Sequence, residues 1–145
     1  MNLSAHFSME EFTASETAAR LGIDNEPPAE LYGNIIRTAK VLEQVRLLLG
    51  EAITITSGYR CLQLNNALRS KPTSAHVKGL GADIIVPAYG SPLNVCRALE
   101  FKLEEFGIDQ LIWEFGRWTH IGLSVGAPRH QILTIDNAGT RGGLG

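Results

Sequence analysis

Two histidines and one aspartate stand at spacings that are typical of a metal site. His76 and Asp83 lie within the segment Ser74-Ala-His-Val-Lys-Gly-Leu-Gly-Ala-Asp83, and His120 follows in Trp118-Thr-His120. Imidazole nitrogen and carboxylate oxygen are both zinc ligands, and a catalytic zinc takes three protein ligands while its fourth position is left to water. This donor set therefore predicts a metal site that does chemistry.

The chain between His76 and Asp83 is able to bring the two side chains together. Gly79 and Gly81 allow the backbone to turn sharply without a steric penalty. The β-branched run at residues 84–86 predicts a buried strand, which would fix the carboxylate on a rigid element. A lone histidine is more often an ordinary surface or core residue than a ligand, so the prediction of a metal site depends on this context.

Strand alternation predicts the direction of the His120 side chain. In a strand over residues 118–123, His120 shares one face with Trp118 and Gly122, while the apolar Ile121 points to the other. The apolar face is expected to be the core. His120 is therefore expected to face the cleft.

Glu114 is the candidate general base. It lies on the strand before His120, and a turn at Phe115-Gly116 would fold it back beside that histidine. A carboxylate there could take a proton from a metal-activated water and pass it to the leaving amine. The alternatives are that Glu114 is an ordinary solvated strand residue, or that Asp109 is the base.

Arg60 is the candidate for substrate binding. It ends the segment Ser57-Gly-Tyr-Arg60, directly after a predicted strand. A guanidinium offers two parallel donors to a carboxylate or to a polarised peptide carbonyl. The alternative is a structural ion pair with a nearby acidic residue.

Three further residues are candidates for substrate binding, and each of them could equally have a packing role: Ser74, Tyr59 and Trp118. The two remaining histidines, His6 and His130, lie outside any motif and are predicted not to be ligands.

Taken together, these motifs resemble peptidase family M15, the zinc D-Ala-D-Ala carboxypeptidases and the related peptidoglycan peptidases of bacteriophage lysins. The resemblance includes the leader over residues 7–25, which is similar to that of the compact phage-type members. It implies one zinc per chain, held by His76, Asp83 and His120. The family usually has Ala where this chain has Gly81, a difference that leaves the ligands unchanged.

The resemblance also implies roles for the other candidates. Family members have an arginine at a position similar to that of Arg60, which binds substrate or stabilises the oxyanion. They carry an acidic residue three or six positions before the last zinc histidine, the second arrangement being that of the hedgehog signalling domains, which share the fold. The position three before His120 is Arg117, which cannot be a base, so the second arrangement, with Glu114, is the one that fits.

The activity implied by the resemblance is hydrolysis of the peptide stems of bacterial peptidoglycan. The bond would be a terminal D-Ala-D-Ala bond or an internal bond such as L-alanyl-D-glutamate, and the sequence does not choose between them. We expect the protein to be a phage lysis protein or a component of the virion. The alternative is a catalytically inactive zinc-containing binding domain of the same fold.

Composition bounds the remaining possibilities. The 145 residues, of which 44% are hydrophobic and whose formal net charge is -2, suit one domain with one core. No apolar run is long enough to span a membrane, and the N-terminus lacks a signal-peptide pattern. Near-neutral charge argues against nucleic acid as a partner. We expect a monomer, made in the cytoplasm of a bacterial host, that acts at the cell wall after release or as a virion component.

The residue pattern predicts an α+β fold in a single domain over residues 1–145, with N-terminal helices packed on a small antiparallel sheet, as in the D-Ala-D-Ala peptidases and hedgehog domains. One predicted helix ends at residue 21, and three others cover residues 31–49, 61–68 and 93–106. The predicted strands cover 53–56, 84–86, 110–115, 117–123 and 131–135, the last three as an antiparallel sheet. Cys61 and Cys96 are expected to be reduced core residues. The Gly-rich tail over 138–145 is predicted to be flexible.

Overall fold

Helices lead and strands dominate the second half of the chain. The structure is a computed structural model that describes residues 1–145. Its α-helices are α1 (Met9–Thr13), α2 (Glu16–Leu21), α3 (Tyr32–Leu49), α4 (Leu62–Ala67), α5 (Pro92–Leu99) and α6 (Leu103–Phe106), with short 3-10 helices at Ala29–Leu31 and Ala75–Lys78. Its strands are β1 (Thr54–Ser57), β2 (Gly81–Ile85), β3 (Gln110–Glu114), β4 (Trp118–Gly122), β5 (Gln131–Asp136) and β6 (Gly139–Gly142). The predicted α+β class is confirmed.

Local sequence signals explain where the first helices begin and end. The Ser8 side chain accepts a hydrogen bond from the Glu11 N–H, and the Glu11 carboxylate accepts one from the Ser8 N–H, which completes a capping box at α1. The Ser15 hydroxyl accepts a hydrogen bond from the Ala18 N–H and caps α2, without the reciprocal bond of a capping box. The long helix α3 ends at Gly50, as its sequence predicts.

One core lies between the helices and the inner face of the sheet. It contains 24 buried hydrophobic residues. Helix α3 contributes Ile35, Leu42 and Val45, which are fully buried, and α5 contributes Cys96 and Leu99. No helix has the length and apolar character needed to cross a membrane.

The six strands form one sheet in the order β1-β2-β4-β3-β5-β6. All neighbours are antiparallel except β3 and β5, which are parallel. The prediction that the last three of the expected strands form an antiparallel sheet is therefore wrong for β5. Strand β4 ends beside the start of β3, and the loop over 123–130 passes around this end, so β5 starts on the other side of β3 and runs with it.

Two other segments differ from their predictions. The helix predicted over 93–106 is broken, because α5 ends at Leu99 and the Lys102 N–H closes a turn on the Leu99 carbonyl before α6 begins. This change of direction lets Leu103 reach the core while Phe101 is exposed. The apolar residues keep a helical spacing through this turn, so the break was not apparent from the sequence.

The Gly-rich tail forms a strand instead of the flexible end that its composition predicts. β6 pairs with β5, and the Thr134 hydroxyl donates to the Gly143 carbonyl and accepts from the Gly145 N–H. These contacts use backbone groups, which glycine has as fully as any other residue. Composition alone therefore gave no sign of them.

Asp109 makes the contacts that connect β3 to its neighbours at the end of the sheet where the chain passes from β4 to β5. Its N–H donates to the Gly122 carbonyl, and its carbonyl accepts from the Gln131 N–H, so it touches both neighbours of β3. Its buried carboxylate accepts hydrogen bonds from the Arg129 backbone and guanidinium. These bonds from Arg129, chiefly those of its side chain, hold the pKa of Asp109 below its ordinary value.

We predict that Asp109→Asn lowers the free energy of unfolding at pH 7 by roughly 1.5–3 kcal/mol, the usual range for a hydrogen bond to a charged group. Because the folded-state pKa is depressed, the stabilisation is present above the unfolded pKa and is lost as pH falls through the folded value. The difference in the free energy of unfolding between wild type and variant should therefore become smaller below about pH 4. Urea denaturation at several pH values measures this.

The matched control is Asp136→Asn, which removes the charge from an exposed pair with Arg141. It should lower the free energy of unfolding less than Asp109→Asn does, because both side chains of this pair are solvated whereas the Asp109 carboxylate is buried. Equal losses in the two variants, or a difference for Asp109→Asn that persists at low pH, would contradict the role given to Asp109.

Candidate metal centre

The fold brings His76, Asp83 and His120 together. One potential ligand atom from each of the three lies within 4.8 Å of the others. All three residues are buried, with exposed fractions of 3%, 3% and 6%. The grouping predicted from the sequence is therefore present in the fold.

Strand register places Asp83 and His120 side by side. Asp83 on β2 is the direct partner of His120 on β4, and directly opposite residues of neighbouring strands project to the same face of a sheet. Thr119 and Ile121 point to the opposite face and are fully buried. The predicted alternation along β4 is thus correct.

A 3-10 helix and a tight return place His76 over that pair. His76 lies in the helix Ala75–Lys78, and Gly81 starts β2 directly below it. A Cβ at Gly81 would lie 2.9 Å from the His76 backbone nitrogen, which is closer than real Cβ atoms approach. Glycine at position 81 therefore allows the strand to pass directly beneath the histidine backbone.

Hydrogen bonds orient the two imidazole rings. The His76 Nδ1–H donates to the Gly58 carbonyl at 2.6 Å, because a carbonyl can only accept, and His76 Nε2 lies 3.2 Å from Asp83 Oδ1. His120 turns Nδ1 to the same oxygen, at 2.8 Å. Metal-binding histidines commonly hold their second nitrogen in a bond of the kind that His76 makes to Gly58.

The contact between His76 and Asp83 fits a bound cation. With its proton on Nδ1, a neutral His76 turns an unprotonated nitrogen toward a carboxylate oxygen, and two acceptors in contact require a proton or a metal ion between them. Burial lowers the pKa of His76, which favours the neutral ring despite the opposing effect of Asp83. Two imidazole nitrogens and one carboxylate oxygen are donors that suit zinc.

The other two ligands are coupled electrostatically. Burial would raise the pKa of Asp83, but attraction to His76 and hydrogen bonds from the two histidines, in the states in which these rings carry a proton toward Asp83, outweigh burial and hold the pKa far below the ordinary carboxylate range. Burial would lower the pKa of His120, but its bond to Asp83 outweighs burial and raises it. A proton on His120 therefore competes with a metal ion, since ligands must be deprotonated to bind.

Arg60 lies at the edge of this cluster. Its Nη2 is 3.4 Å from Asp83 Oδ2, and its Nε donates to the Ser57 hydroxyl at 3.0 Å. Its side chain is 12% exposed, and burial lowers its pKa. The ion pair considered from the sequence is therefore present, and its partner is one of the three candidate ligands.

Glu114 reaches the cluster from β3. It is paired with Trp118 across the β3–β4 hairpin, and its Oε1 lies 3.9 Å from His120 Nδ1. Its side chain keeps 19% exposure, and burial raises its pKa against the opposing charge of His120. Asp109, the alternative base, lies at the other end of β3, where Arg129 binds its carboxylate.

The remaining candidates divide among different positions. The Ser74 hydroxyl accepts from the His76 N–H and so caps the 3-10 helix, which is a structural contact. Tyr59 is only 6% exposed and belongs to the core, so the structure does not place it in the cleft. Trp118 is half-buried, on the strand face of His120, with its ring 5.7 Å from that of Phe115.

The histidines that were predicted not to be ligands lie outside the cluster. His6 Nδ1 pairs with the Glu43 carboxylate at 2.7 Å, and His130 is exposed in the loop before β5. Neither is among the residues that could hold a metal.

Sequence reasoning missed the part played by Gly58. Its carbonyl orients His76, and a Cβ on it would lie 2.6 Å from the Phe12 carbonyl oxygen in α1. The glycine in Ser57-Gly-Tyr-Arg60 was the available signal. Its meaning depends on a contact with a segment more than forty residues earlier, which the spacing did not reveal.

Comparison with known proteins agrees with this geometry. No curated protein shows a significant sequence match to the chain. The family model described as Peptidase M15 matches residues 5–122, which include all three candidate ligands, Arg60 and Glu114, while β5 and β6 lie outside the matched range. The family predicted from the motifs is thereby confirmed, and the chain belongs to the peptidase M15 family.

Proposed function

We propose that this protein is a zinc-dependent peptidase that hydrolyses the peptide stems of bacterial peptidoglycan. The observation that carries the proposal is the buried cluster of His76, Asp83 and His120 with the Glu114 carboxylate 3.9 Å from it. Membership in a peptidase family supports the reaction class. The resemblance of the motifs to wall-degrading members supports the substrate.

The three clustered side chains would hold the zinc ion. Zinc in such a site supplies a Lewis acid for the peptide carbonyl and lowers the pKa of water. The burial of the ligands supports this role, because water competes poorly for ligands that the fold has already desolvated and oriented. The Gly58 carbonyl would keep the His76 ring in the tautomer that presents Nε2.

Glu114 would act as the proton carrier. Its carboxylate faces His120 while part of it is exposed, so it can reach both a water molecule and a bound peptide. Burial raises its pKa toward the range in which a carboxyl group both accepts and releases protons. It would accept a proton from the attacking water and donate it to the leaving amine.

Arg60 would bind the negative charge of the substrate. Only its Nε and Nη2 make hydrogen bonds within the protein, which leaves Nη1 for a substrate carboxylate or a developing oxyanion. Its contact with Asp83 at 3.4 Å is long for a charge-assisted hydrogen bond. Asp83 therefore holds the guanidinium nearby without occupying all of its donors.

Two cavities support cleavage of an internal stem bond. One of about 340 Å³ is lined by Phe115, Arg117 and Trp118, and another of about 380 Å³ includes Ala75 and Gly122 in its lining. Trp118 and Gly122 each lie two residues from His120 along β4, on opposite sides of it. None of the three candidate ligands lines either cavity, so the cavities support an extended substrate, as an endopeptidase requires, only through their positions on either side of His120 along β4.

Glu114 also argues against an inactive binding domain. A binding domain of the same fold could keep the three ligands, but its base would be turned away or locked in a salt bridge. The Glu114 carboxylate faces the ligands, and its distance of 3.9 Å from His120 Nδ1 is too long for a hydrogen bond. Here the only ion-pair partner of Glu114 is His120.

We further propose that the protein reaches the wall from the cytoplasm of a bacterial host, after release or as a virion component, because its motifs resemble those of phage lysins.

Digestion of purified peptidoglycan tests the proposal directly. The zinc-loaded protein should release stem-peptide fragments, a chelator should stop their release, and added zinc should restore it. Mass spectrometry of the new ends identifies the bond, and cleavage between L-alanine and D-glutamate is the expected outcome. Release of D-alanine alone would instead assign a carboxypeptidase, and no release at all would refute the proposal.

The metal assignment yields a second prediction. The protein should bind about one zinc per chain, since three protein ligands form one catalytic site. His76→Ala, Asp83→Ala and His120→Ala should each remove most of the metal, while the control His6→Ala should keep it.

Removal of zinc should lower the melting temperature, because a ligand of the native state stabilises it by mass action. Elemental analysis and thermal denaturation measure both effects, and full zinc content in a His76→Ala/His120→Ala double variant would exclude the site.

Glu114→Gln separates metal binding from proton transfer. The amide keeps the size of the side chain but loses its basicity, so zinc content and melting temperature should stay near wild type while the rate of hydrolysis falls by roughly two to four powers of ten. Both quantities are to be measured on one preparation.

The matched control for Glu114→Gln is Glu104→Gln, the same change at an exposed position of α6, which should leave the rate intact. Loss of zinc from Glu114→Gln would make Glu114 a ligand. A near-normal rate in that variant would exclude it as the base.

A further inference from the structure

The loop over residues 57–61 carries Arg60 and is fixed by the residues that precede α3. The peptide group between Gly58 and Tyr59 is bonded at both ends. Its carbonyl accepts from the His76 ring, and its N–H donates to the Phe12 carbonyl at 2.7 Å. One peptide group therefore connects a candidate ligand to helix α1.

The two peptide groups on either side of Arg60 are held by a single side chain. Asn25 Nδ2 donates to the Tyr59 carbonyl at 3.0 Å, and Asn25 Oδ1 accepts from the Cys61 N–H at 2.8 Å. The same Nδ2 also donates to the Thr13 carbonyl at 2.9 Å. Asn25 is 8% exposed, so these bonds are sheltered from water.

The pattern of these bonds fixes the orientation of the Asn25 amide. Both contacts of its nitrogen are carbonyl oxygens, and the contact of its oxygen is an N–H, so the opposite orientation would set like groups against each other. The Arg60 N–H donates to the His76 carbonyl at 3.1 Å, which adds a further restraint on the backbone of this loop. The backbone on both sides of Arg60 is therefore held.

The side chain of Arg60 has weaker restraints than its backbone. It makes one bond to a serine hydroxyl and one long contact with Asp83. A long side chain held so loosely keeps its direction mainly through the placement of its Cα and Cβ atoms. A small displacement of a binding group is enough to reduce catalysis substantially.

We propose that Asn25 is a positioning residue for Arg60, and that the leader over residues 7–25 is therefore part of the active site. The inference rests on the proposed function, because it requires that Arg60 contacts substrate. It gives a role to the Ile23-Asp-Asn25 end of the leader, which the metal site does not involve. Asn25 acts through Arg60 and makes no hydrogen bond to any of the three candidate metal ligands.

The test is a double-mutant cycle on the zinc-loaded protein, with peptidoglycan fragments as substrate. Asn25→Asp keeps the acceptor for Cys61 but sets an oxygen against the carbonyls of Thr13 and Tyr59, and Asn25→Ala removes all three bonds. Each should lower kcat/KM about ten- to a hundredfold. Zinc affinity, measured by chelator competition, should change by less than the roughly tenfold loss that follows removal of a ligand's own hydrogen-bond partner.

The decisive measurement is the double variant. If Asn25 acts through Arg60, then Asn25→Ala/Arg60→Ala should have a kcat/KM within about threefold of that of Arg60→Ala alone, because the two changes remove one function. Losses that multiply would show that Asn25 acts independently of Arg60 and would overturn the inference. All variants are assayed well below their own melting temperatures, and Asn25→Asp carries the test if Asn25→Ala does not fold.

Thr134→Val is the control for a general loss of stability. Thr134 is buried and also bonds two backbone groups, but it lies on β5, away from the site. It should lower the melting temperature and leave kcat/KM unchanged. Normal kinetics in Arg60→Ala would overturn the role of Arg60 and this inference together. Impaired Arg60→Ala with normal Asn25→Asp would overturn this inference alone.

Discussion

The burial of one carboxylate governs the architecture around the site. Asp83 is almost fully removed from water, and a buried charge is tolerated only when it is paired and hydrogen-bonded. Its two oxygens are used separately, since Oδ1 faces both histidines and Oδ2 faces Arg60. Each partner arrives on a different element, and the placement of those elements follows from this requirement. The Asp83 charge outweighs burial at His120 and raises its pKa, whereas burial outweighs Asp83 at His76 and lowers its pKa.

Much of this site could be predicted from the sequence because its geometry is local. The alternation along β4 was enough to give His120 the opposite direction to Ile121, and the glycines before Asp83 indicated the return of the chain toward His76. The hairpin between β3 and β4 has a short turn, so the approach of Glu114 to His120 followed from the register. Helix α3 was equally clear, since its apolar residues repeat over five turns and its end carries a glycine.

The features that sequence reasoning missed depend on contacts between distant segments. For Tyr59 the sequence left a cleft role and a packing role equally open, and the structure buries it in the core. The parallel direction of β5 depends on a loop passing around Asp109, and no local period encodes such a path. Gly58 and Asn25 resemble ordinary loop residues. Their importance lies in the groups they meet, which are up to 46 positions away in the chain for Gly58 and Phe12.

The hairpin of β5 and β6 has a consequence for how the protein behaves in solution. Strand β3 contains Leu111, Ile112 and Trp113 in succession, and β5 pairs with it along its whole length. Without that cover, β3 would be an edge strand with unpaired N–H and C=O groups beside apolar side chains, which is the usual template for aggregation. β6 moves the edge outward to a strand of four residues, Gly-Thr-Arg-Gly, whose charge and lack of apolar side chains make it a poor partner for another molecule. The glycine-rich end of the chain thus protects the strand that carries Glu114 from intermolecular pairing.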